Sequence, residues 1–302
     1  MFVSLVKIKK YLIFLFLFLF FNCLFTISLK ANPTFVDGTV VDNKDDDDNT
    51  AAERYTTGLS FNSDGTKMYI VGTESKILHE FELNPGFDIS TRTYDSGDTY
   101  DLEGKGPLPT SVKFNNDGTK MFMVSHSQDI HEYSLPAFDV SEASFEQTKT
   151  LTELSNKPKD VEFNADGTKM FIFENSDINI YTLSTGFDIS TASYDDTVSV
   201  SDFEDEATGF AFSDDGTVMF TLGRKDKAVN EFYLSTGFDL TTASHVSSFS
   251  INDKDVHPKG IGFNDDGSKM FFLGNDNDKV YEYTLVSNYN LKLPTLSSSS
   301  PA

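Results

Sequence analysis

One eight-residue segment occurs five times in this chain, and no other feature restricts its fold as strongly. The first copy reads Phe-Asn-Ser-Asp-Gly-Thr-Lys-Met, and the copies begin at Phe61, Phe114, Phe163, Phe212 and Phe263. The Asp-Gly pairs begin at residues 64, 117, 166, 215 and 266, so successive copies are 53, 49, 49 and 51 residues apart. A period near fifty residues with strand-like content indicates one supersecondary unit that is copied and packed against itself.

The second copy shows what that unit is. Residues 110–114 alternate polar and apolar, as a strand with one buried face does, and 115–119 contain the Asn-Asp-Gly of a tight turn. Residues 120–124 are apolar on both faces, 130–135 alternate again, and 144–151 are more polar. Apolar inner strands followed by a polar outermost strand are typical of a propeller blade.

The two ends of the chain predict how the ring closes. The fifth copy stops after its third strand, at Leu285, and residues 34–42 resemble the fourth strand at 193–200. A ring whose last blade takes its outer strand from the N-terminal end leaves no long open edge. We therefore predict an all-β fold, a five-bladed β-propeller of four-stranded antiparallel blades, with an N-terminal strand completing the last blade.

The repeat also resembles a known family. Phe-x-x-Asp-Gly-Thr-Lys-Met-Phe/Tyr, followed by Val-Tyr-Glu-Tyr-x-Leu, is similar to the repeat propellers of the YVTN and TolB-like kind over nearly all of the mature chain. The Trp-Asp pairs of WD-repeat proteins are absent, since the chain contains no Trp. The resemblance implies a secreted or periplasmic propeller, commonly a binding platform and sometimes an enzyme, because a fold alone does not set a function.

The start of the chain predicts export. Three lysines within the first ten residues precede an apolar run over 11–29, the order of a secretory signal, with cleavage after Ala31. An uncleaved membrane anchor is the main alternative because the run is long enough to span a bilayer. Lipid attachment at Cys23 is disfavoured by the preceding Asn. We expect the protein in the periplasm, at the cell surface or outside the cell.

The predicted domains are therefore a signal peptide over 1–31, a single propeller over 32–290 and a Ser-rich tail over 291–302. Cys23 is the single cysteine of the chain, so the mature part has neither disulfides nor cysteine-based zinc sites. The core alone must stabilise it.

The charge balance excludes some partners. The chain has 24 basic and 47 acidic residues, and the first 31 residues contain four of the lysines and no acid. The mature part thus has 20 basic and 47 acidic residues, a net charge of −27. Nucleic acid is a poor partner for such a protein, and we expect membrane association only through an uncleaved signal segment. Cations, basic ligands and solubility in salt are all compatible with it.

The loops from each fourth strand to the next first strand are unusually acidic, and they are the candidate binding site. If five such loops converge on one opening, they create a negative mouth that concentrates cations such as calcium. The alternative is that these loops only share the acidic bias of the whole chain. The candidate ligand-binding residues are Glu53, Asp101, Glu103, Asp160, Glu204, Asp205, Glu206, Asp253, Asp255 and His257.

Other polar residues have structural interpretations. The Asp of each Asp-Gly pair serves turn geometry, and His79 and His131, at the same place in consecutive repeats, are packing residues. No nucleophilic triad and no phosphate-binding glycine loop can be identified.

These observations favour an exported, non-catalytic propeller that binds a protein or glycan partner, with calcium stabilising the mouth. An enzyme usually breaks the symmetry of its repeat at the active site, and no insertion here does so strongly. The alternative is a metal-dependent hydrolase or lactonase that resembles the gluconolactonase-type propellers, which hold one divalent ion near the axis. The metal candidates are Glu53, Asp160 and Glu206. A structural module of a cell envelope or appendage is a third possibility.

Overall fold

Each copy of the repeat folds into one four-stranded antiparallel sheet in the computed structural model, which describes residues 33–40, 55–104 and 108–291. The sheets are the five blades of a β-propeller, so the predicted fold class is confirmed. The predicted signal segment and all but the first residue of the predicted tail lie outside the described residues.

The strands of the first blade are β2 (Thr56–Phe61), β3 (Lys67–Gly72), β4 (Ile77–Glu82) and β5 (Thr93–Asp101). Those of the second are β6 (Pro109–Phe114), β7 (Lys120–Ser125), β8 (Asp129–Ser134) and β9 (Ser144–Thr150). Those of the third are β10 (Asp160–Phe163), β11 (Lys169–Glu174), β12 (Asp177–Leu183) and β13 (Ala192–Ser199). Those of the fourth are β14 (Ala207–Phe212), β15 (Val218–Gly223), β16 (Ala228–Leu234) and β17 (Ala243–Ser250). Those of the fifth are β18 (Pro258–Phe263), β19 (Lys269–Gly274), β20 (Lys279–Thr284) and, from the N-terminal end, β1 (Thr34–Val40).

The ring closes as predicted. The last sheet has the order β1-β20-β19-β18, and β1 pairs antiparallel to β20 from Thr34 opposite Thr284 to Val40 opposite Lys279. The hydrogen bonds of β1 therefore join the first described strand to the last blade without a covalent link.

The core lies between adjacent blades and is centred on the second strands. The last five residues of each second strand are buried, because both faces of that strand pack against neighbouring sheets. The outer strand β9, by contrast, alternates between exposed and half-buried residues. The predicted gradient from apolar inner strands to a polar outer strand is confirmed.

The Asp-Gly turns owe their shape to local hydrogen bonds. Asp64 Oδ1 accepts hydrogen bonds from the backbone N–H and the hydroxyl of Thr66, at 3.0 and 2.6 Å. Gly65 has φ of 68°, and its missing side chain leaves room for the Phe87 ring, which a Cβ at Gly65 would approach within 2.1 Å. The structural interpretation of the turn Asp is confirmed. The other four turns are covered in the same way by Phe138, Phe187, Phe238 and Tyr289.

The lysine that follows four of the five turns joins neighbouring blades. Lys120 Nζ lies 2.7 Å from Glu132 Oε1 in its own blade and donates to the Phe187 carbonyl of the next blade at 2.6 Å. Glu132 Oε2 in turn accepts from the Ile189 N–H of that next blade at 3.1 Å. The fourth blade has Val218 at the lysine position and therefore lacks this contact.

Three-residue 3-10 helices precede four of the outer strands, at Ile89–Thr91, Val140–Glu142, Ile189–Thr191 and Leu240–Thr242. Within the described residues, no helix has the length and apolar character needed to cross a membrane.

Candidate functional site

The two faces of the disc carry different connections. The Asp-Gly turns, which join first to second strands, lie on one face, called here the turn face. The loops from fourth to first strands and from second to third strands lie on the opposite face, the loop face. Its central opening, the loop mouth, is bordered by the entrances of the five first strands.

The pairing register shows which first-strand residues are equivalent. Leu59, Val112, Val161, Phe210 and Ile261 pair with the same position of their respective second strands. The position two residues before them, at the loop mouth, is therefore occupied by Thr57, Thr110, Lys159, Thr208 and Lys259.

Two of the predicted acidic ligands are buried inside their own loops. Glu204 is 1% exposed and accepts a hydrogen bond from the Glu206 N–H at 2.8 Å; Asp255 is 3% exposed and accepts one from the His257 N–H at 2.8 Å. Each carboxylate fits over a glycine, since a Cβ at Gly223 would lie 1.7 Å from Glu204. These carboxylates hold loop backbone in place and do not line the opening.

In the third blade a buried carboxylate also binds the backbone of the loop, but it comes from the end of the second strand and not from the loop. Glu174 stands at the position of that glycine, and its carboxylate accepts from the Ser155 and Asn156 N–H groups at 3.2 and 2.5 Å. A buried carboxylate that caps the loop is thus part of the blade architecture in three blades.

The remaining predicted residues of the loop face are dispersed. Three of them form local ion pairs: Asp205 with Lys225, Glu206 with Arg224 at 2.8 Å, and Asp253 with Lys254 at 2.9 Å. His257 Nδ1 lies 2.5 Å from Asp276 Oδ1. Asp101 and Glu103 are exposed at the end of β5, where Asp101 accepts from the Glu103 N–H at 2.7 Å. Glu53 lies outside the described residues. In the described part of the loop face, most of these carboxylates are bound within their own blade; whether all five loops form one negative ring stays a prediction.

Among the predicted ligand residues that the structure describes, Asp160 is the one that stands in the axial column of the first strands. It stands at the innermost position of its first strand, where the other blades have Gly58, Ser111, Gly209 and Gly260. Its Oδ1 accepts from the Ser111 hydroxyl at 2.5 Å, and its Oδ2 accepts from the Phe210 N–H at 3.0 Å. It is 2% exposed and links three blades.

Burial raises the pKa of the Asp160 carboxyl, and the nearby Lys113 ammonium opposes that rise. Within the described ranges, no group of three or more His, Cys, Asp or Glu side chains is placed to share a metal ion. The metal set of Glu53, Asp160 and Glu206, and calcium itself, stay predictions.

The loop mouth carries basic residues that the sequence interpretation did not select. Lys159 and Lys259 occupy positions at which the other three blades have threonine. Those threonine hydroxyls donate to second-strand carbonyls, as Thr110 does to Val124 at 3.1 Å. Neither lysine ammonium makes the equivalent hydrogen bond to the second-strand carbonyl. Among the described residues, neither lysine ammonium forms an ion pair or hydrogen bond.

Electrostatics shows that these basic groups lie near one another. Burial lowers the pKa of Lys159, and Lys157 and Arg224 lower it further. Burial likewise lowers the pKa of Lys259, with further lowering by Lys159 and Arg224. Glu206 opposes the lowering of the pKa at Lys159, and Asp276 and Asp255 oppose it at Lys259. The described part of the mouth therefore holds basic groups beside carboxylates, and Lys159 and Lys259 are cations there without an ion-pair partner among the described residues.

His126 belongs to the same group. Burial lowers its pKa to about 4, and Lys159, Lys157 and Lys259 lower it in the same direction. Its Nδ1 is buried without a hydrogen-bond partner in the described part of the chain. Four blades, the second to the fifth, thus supply a basic group to this mouth.

These two lysines could have been found by comparing the five repeats with one another. Aligning the copies on their Asp-Gly turns places Lys159 and Lys259 in a column that otherwise holds threonine. The acidic composition of the loops drew attention instead to abundant carboxylates, most of which are satisfied locally.

Comparisons with known proteins add the following. No family model matches the chain, and no curated protein matches it. Similar solved structures include a candidate 6-phosphogluconolactonase of Bacteroides uniformis ATCC 8492, at 13% identity and a TM-score of 0.48 over 75% of this chain and 65% of that one. A second candidate 6-phosphogluconolactonase, from Bacteroides fragilis NCTC 9343, has 12% identity and a TM-score of 0.43 over 74% and 59%.

The β-propeller domain of Cps50 (Swd1) from Myceliophthora thermophila has 9% identity and a TM-score of 0.45 over 76% of this chain and 83% of that one. The two bacterial matches cover less than two thirds of the length of those proteins. The propeller fold predicted by resemblance is confirmed by the structure itself, whereas membership of the YVTN and TolB-like kind stays a prediction. The function is therefore argued from this chain's own residues.

Proposed function

We propose that this protein is an exported, non-catalytic β-propeller of the YVTN and TolB-like kind that binds an acidic glycan at its loop mouth. The observation that carries the proposal is the replacement of threonine by Lys159 and Lys259 at two of the five equivalent positions bordering the mouth. Their ammonium groups have no ion-pair partner among the described residues, and they share the mouth with Lys157, Arg224 and His126.

The basic groups of the mouth favour an anionic ligand. Several like charges held close together in a partly buried site repel one another, and a bound anion relieves that repulsion. A long polyanion such as nucleic acid would also meet the acidic remainder of the protein. A ligand with a few carboxylates or sulfates on a neutral scaffold avoids that cost.

An exposed aromatic residue favours a sugar as the scaffold. Tyr55, at the entrance of β2, is 62% exposed and has a φ of 78°, which is uncommon for a residue with a side chain. Aligning the repeats on their Asp-Gly turns places it in the same loop-face column as Lys157. An aromatic ring with an apolar face and a polar hydroxyl suits contact with a sugar ring. A uronate-containing glycan combines both features.

The test restores the threonine of the other blades. In K159T/K259T we expect trigalacturonate, a short sugar with three carboxylates, to bind at least roughly tenfold more weakly, since two charge contacts are lost, while thermal stability is unchanged or higher. Uncharged maltotriose should bind neither form. Binding measured by calorimetry at fixed ionic strength that is equal for both proteins would contradict the proposal. Tight binding of triglutamate with no binding of trigalacturonate would indicate an acidic protein partner instead.

The alternative function is a metal-dependent hydrolase or lactonase. It is supported by the position of Asp160 at the axis and of Glu206 on the adjacent blade, at the same face. Thermal unfolding in EDTA and in millimolar calcium, with magnesium as control, tests for the ion, since an ion bound to the native state raises the melting temperature. Turnover of lactones with calcium, manganese or zinc, abolished in Glu206→Gln, would favour the enzyme.

A further inference from the structure

A second axial position lies two residues after the Asp160 position in each first strand, toward the turn face. The five blades have side chains of very different size there. The occupants of this position are Ser60, Lys113, Glu162, Ala211 and Gly262. Lys113 and Glu162, on adjacent first strands, form an ion pair with 2.7 Å between Nζ and Oε1, and their side chains are 13% and 18% exposed. The three small residues leave the other side of the axis open.

That open side is a recess on the turn face. It has a volume of about 420 Å³ and adjoins a second recess of about 210 Å³. Both are bordered by the Lys113–Glu162 pair, Ser60 and Phe212. The larger volume lies within the range of small-molecule sites.

The walls of the recess are aromatic. The first residue of each eight-residue repeat follows the axial position directly, and all five are half-buried phenylalanines that line one or both recesses: Phe61, Phe114, Phe163, Phe212 and Phe263. The face of an aromatic ring carries partial negative charge and attracts cations, while the ring as a whole provides apolar contact.

The charge of the recess is negative. The charged side chains that line the two recesses are one lysine and three acids: Lys113, Glu162, Asp214 and Asp265. Glu162 compensates the charge of Lys113. The two exposed aspartates stand at equivalent positions of adjacent turns, and burial followed by the Asp214 charge raises the pKa of Asp265.

We propose that this recess binds a small organic ammonium compound with an apolar body. The aromatic walls would contact the body, and the carboxylates of Asp214 and Asp265 would attract the ammonium group beside the neutral Lys113–Glu162 pair. An anionic ligand would meet these two carboxylates, which no cation lining the recess compensates. A purely apolar ligand would remove water from the Lys113–Glu162 pair without offering either group a hydrogen bond. This site is separate from the loop mouth and does not depend on the function proposed there.

The first experiment compares three probes of similar shape by calorimetry at fixed ionic strength. We expect 2-phenylethylammonium to bind saturably, with a dissociation constant at least roughly tenfold lower than that of neutral 2-phenylethanol, and 3-phenylpropionate not to bind. Equal affinity for the ammonium and the alcohol, or no saturable binding of the ammonium up to about 10 mM, overturns the proposal.

The second experiment locates the binding. D214N/D265N removes two exposed charges from the rim and should weaken ammonium binding by roughly threefold to tenfold. D202N/D205N removes the same charge from the loop face and should change it by less than about twofold. Equal effects of the two double variants would overturn the proposed location. Glu162→Gln should weaken binding by at least about tenfold. If that variant does not fold, the rim pair decides.

Discussion

The two ends of the propeller axis are built from the same repeat but carry different charged groups. At the loop face, Lys159 and Lys259 border an opening with basic neighbours from four blades. At the turn face, five phenylalanines and a net negative set of side chains surround a recess. Repetition of a sequence therefore fixes the shape of both openings without fixing their chemistry.

The difference has a structural origin. At the turn face, the Asp-Gly pair and the covering aromatic ring recur in all five blades because the turn geometry requires them. The positions that face the axis vary among the blades. The Asp160 column holds three glycines, and a Cβ at Gly209 or Gly260 would lie 2.6 or 2.7 Å from the backbone of the neighbouring blade. The column of Lys159 and Lys259 accepts either threonine or lysine.

The largest expected effect concerns the residue that separates the two ends. Asp160→Ala removes the acceptor of the Ser111 hydroxyl and the Phe210 N–H, both of which are buried. We expect the free energy of unfolding to fall by roughly 3 kcal/mol in urea denaturation. Asp202→Ala, an exposed control on the loop face, should change it by less than about 0.5 kcal/mol. A loss below about 1 kcal/mol for Asp160→Ala would mean that Asp160 does not hold the blades together.

A smaller effect tests the basic character of the loop mouth through pH. Burial and the charges of Lys159, Lys157 and Lys259 lower the pKa of His126 to about 4, against about 6.5 in the unfolded chain. As the pH falls, the unfolded chain binds this proton first. The contribution of His126 is therefore complete above pH 6.5 and is lost as the pH falls through 4.

His126→Asn should make this acid destabilisation smaller by roughly 1 kcal/mol, a value reduced for the partial exposure of the ring. The wild-type protein, measured in the same buffers, is the reference for this difference. Chemical denaturation at pH 7.5, 6 and 5 gives the comparison. An unchanged profile in His126→Asn would show that the mouth does not suppress protonation.

The smallest expected effect makes the turn face more regular. Val218→Lys gives the fourth blade the lysine that the others have, within reach of Glu231 and of the Tyr289 carbonyl by analogy with the other junctions. We expect a gain of about 0.5 kcal/mol in unfolding free energy that decreases with added salt. Val218→Met is the control for side-chain length. An equal gain in that variant would assign the effect to packing.

Much of the fold could be predicted because it depends on local patterns. The strand ending at Phe114, the turn at Gly118 and the strand starting at Lys120 follow from side-chain alternation and one positive φ. The closure of the ring by β1 was also predicted, since its sequence resembles the missing fourth strand. These features need only a short window of sequence.

The candidate site was harder to predict because it depends on which side chains remain unpaired. The sequence suggested that Glu204 and Asp255 are free ligands, yet each accepts a hydrogen bond from a backbone N–H of its own loop. Lys159 and Lys259 carry no motif in the sequence, since they are isolated basic residues in an acidic chain. Their importance comes from neighbours on other blades, such as Arg224 and His126, which are distant from them in sequence.

The sequence by itself determined the number of blades, the turn chemistry and the strand that closes the ring, because each repeat encodes its own alternation and its own positive-φ glycine. Only the tertiary structure decided the charge of the two openings. Closing the ring brings five equivalent positions to one axis. The charge of each opening then depends on which carboxylates are already bound to the backbone and which side chains still face the opening.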